Sequence, residues 1–293
     1  MNQELLDKIA AYKAKGFEVP DEDMIKTPEQ IAGIREACKI NTAVLDEVAK
    51  HIKAGMTTAE IDKIVYDFTV AQGATPAPLG FCGFPKSVCT SINDQVCHGI
   101  PSEHDVLKSG DIVNVDVSTI YNGYYADASR MFMIGKVNPK AEKLVNITKE
   151  CLKRGIEAAK AWGTVGDIGA AVSALARKHG YSVVEEFGGH GVGVEFHEEP
   201  FVCHVGKRGT GMLLVPGMIL TIEPMIGGEE AFKALIEAAN EQGIKIILDG
   251  VFNHTGRDFF AFQDIKHNRE NSRYKDWYCN VNFWGNNSFN DGF

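Results

Sequence analysis

The chain has 293 residues, 44% of them hydrophobic, which is enough for one large domain or two small ones with real cores. Its formal charge of -9 and pI near 5.5 argue against nucleic acid as a general partner, since an acidic surface repels phosphate backbones. Seven cysteines lie scattered without a C-x-x-C pair, and the charged start MNQELLDKIAAYKAKG has no apolar core. No run approaches the ~20 apolar residues of a membrane span, so the expectation is a reduced, cytoplasmic protein without signal peptide or membrane contact.

Apolar residues recurring at three and four predict helices over 3–15 and about 28–53, the second opened by Lys26-Thr27-Pro28 with Pro in the first turn. Thr57-Thr58-Ala59-Glu60 is a capping-box pattern, and the helix it starts stops at Gly73. DIVNVDVSTIYNGYYADASRMFMIG predicts a β-hairpin turning at Asn122-Gly123. Val113, Val115 and Val117 then share one face, and Ile112, Asn114, Asp116 and Ser118 the other. A two-residue turn sets Asp127 opposite Ser118, with Asp116 diagonal to it at roughly 7–8 Å. A helix follows from about Pro139 to Ala161. Thr164-Val165-Gly166-Asp167 caps the next, which ends at Gly180. The spans Thr57–Gly73 and Thr164–Gly180 are equally long, with Ile61 and Ile168 at matching places, which predicts two similar halves. Pro216-Gly217 predicts a turn, and MILTIE a strand ending at Glu223. After about Ile226 aromatic residues and Asn become frequent, so a boundary is expected at 226–229.

Two close carboxylates such as Asp116 and Asp127 repel unless a cation or a proton lies between them; two separate solvent-facing acids are the plainer reading of the pair alone. EFGGHGVGVEFHEEP surrounds His190 with glycines that let backbone come close, and places His197 seven residues later. Its G-x-G-x-G pattern is no dinucleotide loop, because no long helix follows. A carboxylate at the end of an apolar strand, as at Glu223, costs several kcal/mol if buried without a partner. Asp116, Asp127, His190 and Glu223 together make an oxygen-rich donor set with one nitrogen, suited to Mn, Fe, Co or Zn. Two such ions bridged by carboxylates hydrolyse peptides through an activated water. His98, in VCHGIPS, and His197 are then the non-ligand residues for positioning and stabilising a scissile carbonyl.

KSVCTSINDQVCHGIPS, DIVNVDVSTIYNGYYADASRMF, GGHGVGVEFHEEP and GMILTIEPM, in this order, resemble the type I methionine aminopeptidases over roughly residues 28–226. The resemblance implies an α+β pita-bread (creatinase/aminopeptidase) fold with a pseudo-twofold. It implies Asp116, Asp127, His190 and Glu223 as ligands of two divalent ions, His98, His197 and Glu223 as catalytic groups, and Phe81, Phe84, Cys89, Phe196 and His98 as the substrate pocket. The implied partner is the N-terminus of a peptide or nascent chain, and the implied state a monomer.

The family carries one more ligand, a second Glu about thirty residues beyond Glu223. Here that region reads DGVFNHTG, without Glu. GGEEAFKALIEAANEQGIKIILDGVFNHTGRDFF resembles instead the α-amylase (glycoside hydrolase 13) superfamily, with a helix over Glu229–Gln242, a buried strand IKIILDGVF, and Asp249, Asn253 and His254 matching its first conserved region. One helix and one strand of a (β/α)8 barrel do not close a barrel, and the superfamily's catalytic carboxylates are not in this stretch. The expectation is therefore a chimera: an extension over 1–27, an aminopeptidase-like domain over 28–226 incomplete at its end, and a barrel-derived fragment over 227–293. Removal of N-terminal methionine with a weak or absent second ion, an inactive chimera and, from the tail alone, an α-glucan hydrolase are the functions it leaves open.

Overall fold

The computed structural model describes residues 3–227, 264 and 267–272, and the chain divides into two compact units, Met1–Ala231 and Phe232–Phe293. The expected helix over Glu229–Gln242, the strand IKIILDGVF and residues Asp249, Asn253 and His254 lie outside the described residues. In the second unit a short helical turn covers Arg269–Asn271, and the Asn268 amide donates to Asp264 Oδ1 at 3.0 Å.

The first unit begins with α1 (Gln3–Ala14) and α2 (Pro28–His51). Thr27 caps α2: its hydroxyl accepts the Gln30 amide (3.2 Å), the Gln30 side chain accepts the Thr27 amide (2.8 Å), and Pro28 needs no partner for its nitrogen. Helix α3 (Thr58–Ala71) starts with the expected box between Thr57 and Glu60 and ends before Gly73, whose φ of +72° suits glycine. Strands β1 (Thr75–Pro76), β2 (Cys89–Ile92), β3 (Ile112–Tyr121) and β4 (Tyr124–Met133) form one antiparallel sheet. The hairpin has the register read from the sequence. Tyr121 faces Tyr124 across Asn122-Gly123, both at positive φ, and Ser118 faces Asp127. Val113, Val115 and Val117 are fully buried against Val44, Val48, Ile61 and Val65 of α2 and α3, and each such burial is worth about 1.5–3 kcal/mol.

Helices α4 (Pro139–Ala158) and α5 (Val165–Lys178) open the second half, followed by the short strands β5 (Ser182–Val183), β6 (Gly189–Gly191), β7 (Glu198–Val202) and β8 (Ile226–Gly227). The repeat is real in three dimensions. Thr57 bridges Val106 and Thr164 bridges Leu213; Leu107 donates to the Met56 carbonyl, and Leu214 to that of Gly163. The interval from Thr57 to Thr164 also separates Val106 from Leu213, Gly73 from Gly180, and Asp116 from Glu223. Asp116 and Glu223 thus follow the Val106 and Leu213 bridges at the same spacing.

One expectation needs correcting. MILTIE is not a continuous strand: it makes a single isolated bridge, Leu220 with Gly191, and the strand β8 comes after it. Its neighbour β6 is three residues long and pairs irregularly with β7, so only a few backbone groups are in reach. The contacts that form are Val192 N–H to Ile219 O (3.2 Å) and Thr221 N–H to His190 O (2.8 Å).

Candidate metal centre

The hairpin contributes two acids. Asp127, on β4, accepts a hydrogen bond from the Ser118 hydroxyl at 2.9 Å. Asp116, on β3, sits deep in the protein and keeps only part of its surface exposed. Burial, and then the charges of Asp127 and Glu223, push its carboxyl well above the usual carboxylate range, while His190 pulls the other way.

The glycine run brings up His190. A Cβ on Gly189 would lie 2.1 Å from the Thr221 carbonyl oxygen, and one on Gly191 would lie 2.3 Å from that of Glu199. Only glycine permits these approaches, which let β6 run between β7 and the segment leading to Glu223. The His190 amide donates to the Thr221 hydroxyl (2.9 Å), and that hydroxyl donates to Glu223 Oε1 (2.7 Å).

Asp127, His190 and Glu223 each offer a ligand atom, and these atoms all lie within 4.8 Å of one another. His190 Nε2 is 3.4 Å from Asp127 Oδ2 and 3.6 Å from Glu223 Oε1. The three side chains are only 12%, 14% and 32% exposed. His190 Nδ1 lies 2.8 Å from the Gly191 carbonyl, which can only accept, so Nδ1 carries the proton and the Nε2 lone pair faces the two carboxylates. Three electron-rich groups aimed at one point repel each other until a proton or a cation lies between them. Burial lowers His190, but the Asp127 and Gly191 hydrogen bonds and the charges of Asp127 and Glu223 outweigh it and raise its pKa. Burial raises Glu223, and the Asp127 charge adds to this against the Thr221 hydrogen bond and His190. A backbone carbonyl that fixes the imidazole tautomer is the usual second partner of a metal-binding histidine, so the donor set fits a divalent ion. Asp116 feels the same charges but stands outside this three-residue group.

His197 and His98 are exposed. The His197 ring lies 4.5 Å from that of His190 and 4.3 Å from Phe196. Partial desolvation of the ring against these neighbours, followed by the charge of His190, lowers its pKa, so the ring is neutral at pH 7. His98, at φ +55°, meets Phe187 edge-on at 5.9 Å. The residues singled out for a pocket divide by exposure. Phe196 and Cys89 are buried, Phe84 is half-buried, and Phe81 is exposed with its ring 5.0 Å from Phe196 and 5.3 Å from His197. Cys89 pairs with Asp116 across β2 and β3; burial and that acid push its thiol up to about 12, so it is an uncharged wall.

Two residues escaped the sequence reading. Thr221 links His190 to Glu223 as described, and its signal was its place two residues before Glu223, on the same side of an extended segment. His204 is fully buried; its Nε2 accepts the Glu223 amide at 3.1 Å, and its Nδ1 has no hydrogen-bond partner. Burial holds its pKa down to about 4, so it is neutral. A single polar residue within the apolar run PFVCHVG was the available hint.

A hairpin with paired acids, a glycine-flanked histidine and a late Glu is the plan of the pita-bread metallopeptidases, whose members use divalent metal. The chain belongs to metallopeptidase family M24, whose model matches residues 32–251, and its described fold is the α+β pita-bread fold of that family. Among its relatives is methionine aminopeptidase A of Synechocystis, 51% identical over 197 residues that cover 67% of this chain and 78% of that one. Methionine aminopeptidase of Escherichia coli K12 is 42% identical over 233 residues, covering 79% and 88%. The crystal structure of methionine aminopeptidase from Rickettsia prowazekii superposes with a TM-score of 0.68 at 44% identity, over 69% of this chain and 81% of that one. Residues 219–291 match a second model, the alpha amylase catalytic domain. Among the described residues no helix is long and apolar enough to cross a membrane.

Proposed function

We propose that this chain removes N-terminal methionine from peptides and nascent proteins in the cytoplasm, with Asp116, Asp127, His190 and Glu223 as metal ligands. The observation that carries the reading is the convergence of Asp127, His190 and Glu223 within 4.8 Å, with the His190 lone pair turned inward. Divalent ions held there supply a water of lowered pKa and polarise the scissile carbonyl. The protein's own groups do the rest. Glu223, held by the Thr221 hydroxyl, takes the proton of the attacking water on its carboxylate and holds it for the leaving amine. His197, neutral and beside His190, donates to the carbonyl oxygen as charge develops, with His98 as its companion. Phe81, Phe84, Cys89 and Phe196 form the apolar recess that takes the unbranched thioether of methionine.

The four ligands carry three negative charges when His190 is neutral, against four positive charges on two divalent ions. One ion therefore binds tightly, and the second binds weakly or not at all. The same missing charge supports the second reading, an inactive chimera that ends its aminopeptidase part before the last ligand, since DGVFNHTG supplies no Glu. We place the aminopeptidase-like part at 28–226 and the barrel-derived part at 227–293. Turnover of Met-Ala-Ser against Lys-Ala-Ser peptides, with Co2+ or Mn2+, tests the reading. The Met peptide is cleaved and the Lys peptide is not, because the recess has no partner for a buried charge. His190→Ala abolishes cleavage and weakens the tight ion by more than ~100-fold. Equal turnover of the two peptides rules out the pocket, and retention of tight metal by the variant rules out the centre.

A further inference from the structure

We propose that Lys26 and Glu198 form a buried ionic lock that positions the loop bearing Phe196 and His197, making the segment ahead of α2 a working part of the site. This rests on the roles given above to those two residues. Lys26 and Glu198 are far apart in sequence, yet their side chains are paired and only 3% and 13% exposed. Lys26 Nζ donates to Glu198 Oε2 and also to the Asp23 carbonyl at 2.8 Å. The other oxygen, Glu198 Oε1, accepts the amides of Val194 and Glu195, both at 2.8 Å. One end of this carboxylate is thus neutralised by a lysine, while the other ties down the backbone directly before Phe196-His197.

Besides the Val192 bond to Ile219, two backbone hydrogen bonds hold the start of this loop among the described residues. The Tyr125 amide donates to the Gly193 carbonyl at 2.8 Å, and the Gly193 amide to that of Glu195 at 3.1 Å. Val194 and Glu195 themselves are exposed, so packing does not hold them. Two residues further on, His197 lies against His190, and Phe196 stacks on Tyr125 with ring centroids 5.9 Å apart. Lys26 is also fixed by its backbone, its amide donating to the Gly217 carbonyl at 2.9 Å in the turn that leads to Glu223. It therefore connects the approach to the metal ligand with the loop that carries the neutral histidine. A buried carboxylate that loses its cation is strongly destabilised, and its simplest relief is to turn outward to water, releasing Val194 and Glu195. Lys26 and Glu198 are positioning residues, since neither reaches the reacting atoms.

The test compares Lys26→Met, Lys26→Arg and Glu198→Gln with the wild type in the full chain. It uses amide hydrogen exchange, Mn2+ calorimetry and hydrolysis of Met-Ala-Ser. In Lys26→Met the Val194 and Glu195 amides exchange at least ~10-fold faster, while those of the β3–β4 hairpin and the Mn2+ affinity stay within about twofold. The kcat falls by ~10-fold or more with little change in KM, and Lys26→Arg recovers both loop protection and rate. Glu198→Gln keeps an oxygen for the two amides but not the charge for Lys26, and gives an intermediate loss. Unchanged exchange in the loop overturns the proposal, and so does faster exchange spread evenly over hairpin and loop, which marks a merely structural pair. If Lys26→Met does not fold, Glu198→Gln is judged by the same exchange criterion, with Lys26→Arg as the protected control. A wild type that binds Mn2+ without cleaving peptide defeats the aminopeptidase reading, and the exchange data still decide whether the lock holds the loop.

Discussion

The two halves of the first unit start alike and finish differently. In each, a threonine-capped helix places a buried isoleucine, Ile61 or Ile168, and then bridges a later segment. Asp116 in one half and Glu223 in the other lie at the same spacing beyond those bridges. Asp116 rides on a ten-residue strand that turns at Asn122-Gly123 and returns as β4, delivering Asp127. Glu223 rides on a segment with one isolated bridge, held by Thr221 and by the His204 ring. A long hairpin holds its acid with ladder bonds on both sides. The second half does it with a few side chains, so each of those side chains carries more of the load. The alpha amylase match begins at residue 219, just ahead of Glu223, and overlaps the M24 match up to residue 251.

The comparison would be altered most by completing the second half. Replacing the residues after Ile226 with the tail of a methionine aminopeptidase that includes the second Glu should raise peptide turnover by orders of magnitude. It should also change calorimetry from one tight ion to two, as the fourth carboxylate balances the charge. Two equally tight ions in the unaltered chain would contradict the three-carboxylate account.

His204 gives the next effect in size. A histidine whose folded pKa is about 4, against an ordinary value of 6.5, disfavours protons in the folded state. The unfolded chain binds more protons between those values, so stability rises with pH from about 4 to about 6.5 and is lost as pH falls through that window. The loss approaches roughly 3 kcal/mol at the acid end. His204→Gln should flatten this part of a stability-against-pH curve measured by urea unfolding; an unchanged slope would assign it to other groups.

Smaller differences separate the two caps. Glu60 accepts from the Thr57 amide (2.7 Å) and hydroxyl (3.2 Å). Asp167 accepts from the Thr164 amide (2.8 Å) and hydroxyl (3.1 Å), and also from the Gly209 amide at 3.1 Å. Asp167→Ala should therefore cost about 1–2 kcal/mol and Glu60→Ala about 1 kcal/mol in thermal unfolding. The reverse order would mean that the turn at Gly209 contributes nothing. Smallest of all, Asp249→Ala and His254→Ala should leave any peptidase rate within about twofold, under ~0.5 kcal/mol in barrier. A dead Asp249→Ala enzyme would make the tail a true part of the site and end the chimera reading.

What could be read from the sequence was whatever neighbouring residues encode. Caps, glycine stops and the Asn-Gly turn act within a few positions, so the helices, the hairpin and its register were legible, and with them the Ser118–Asp127 pairing. The motifs that mark the family, and the donor types of Asp127, His190 and Glu223, were legible for the same reason. Which ligand atoms approach one another was not, because it depends on how far β6 sinks between its neighbours at Gly189 and Gly191. MILTIE has the alternation of a strand, but a strand needs a partner of equal length, and only the assembled fold shows that β6 is too short to be one. His204 left only the hint of one polar residue in an apolar run, and the Lys26–Glu198 pair left none, because a buried polar group is recognised by its partners and those partners are distant along the chain. Local propensity determined the elements; long-range packing chose which charges would meet in the interior, where an unpartnered one is too costly to keep.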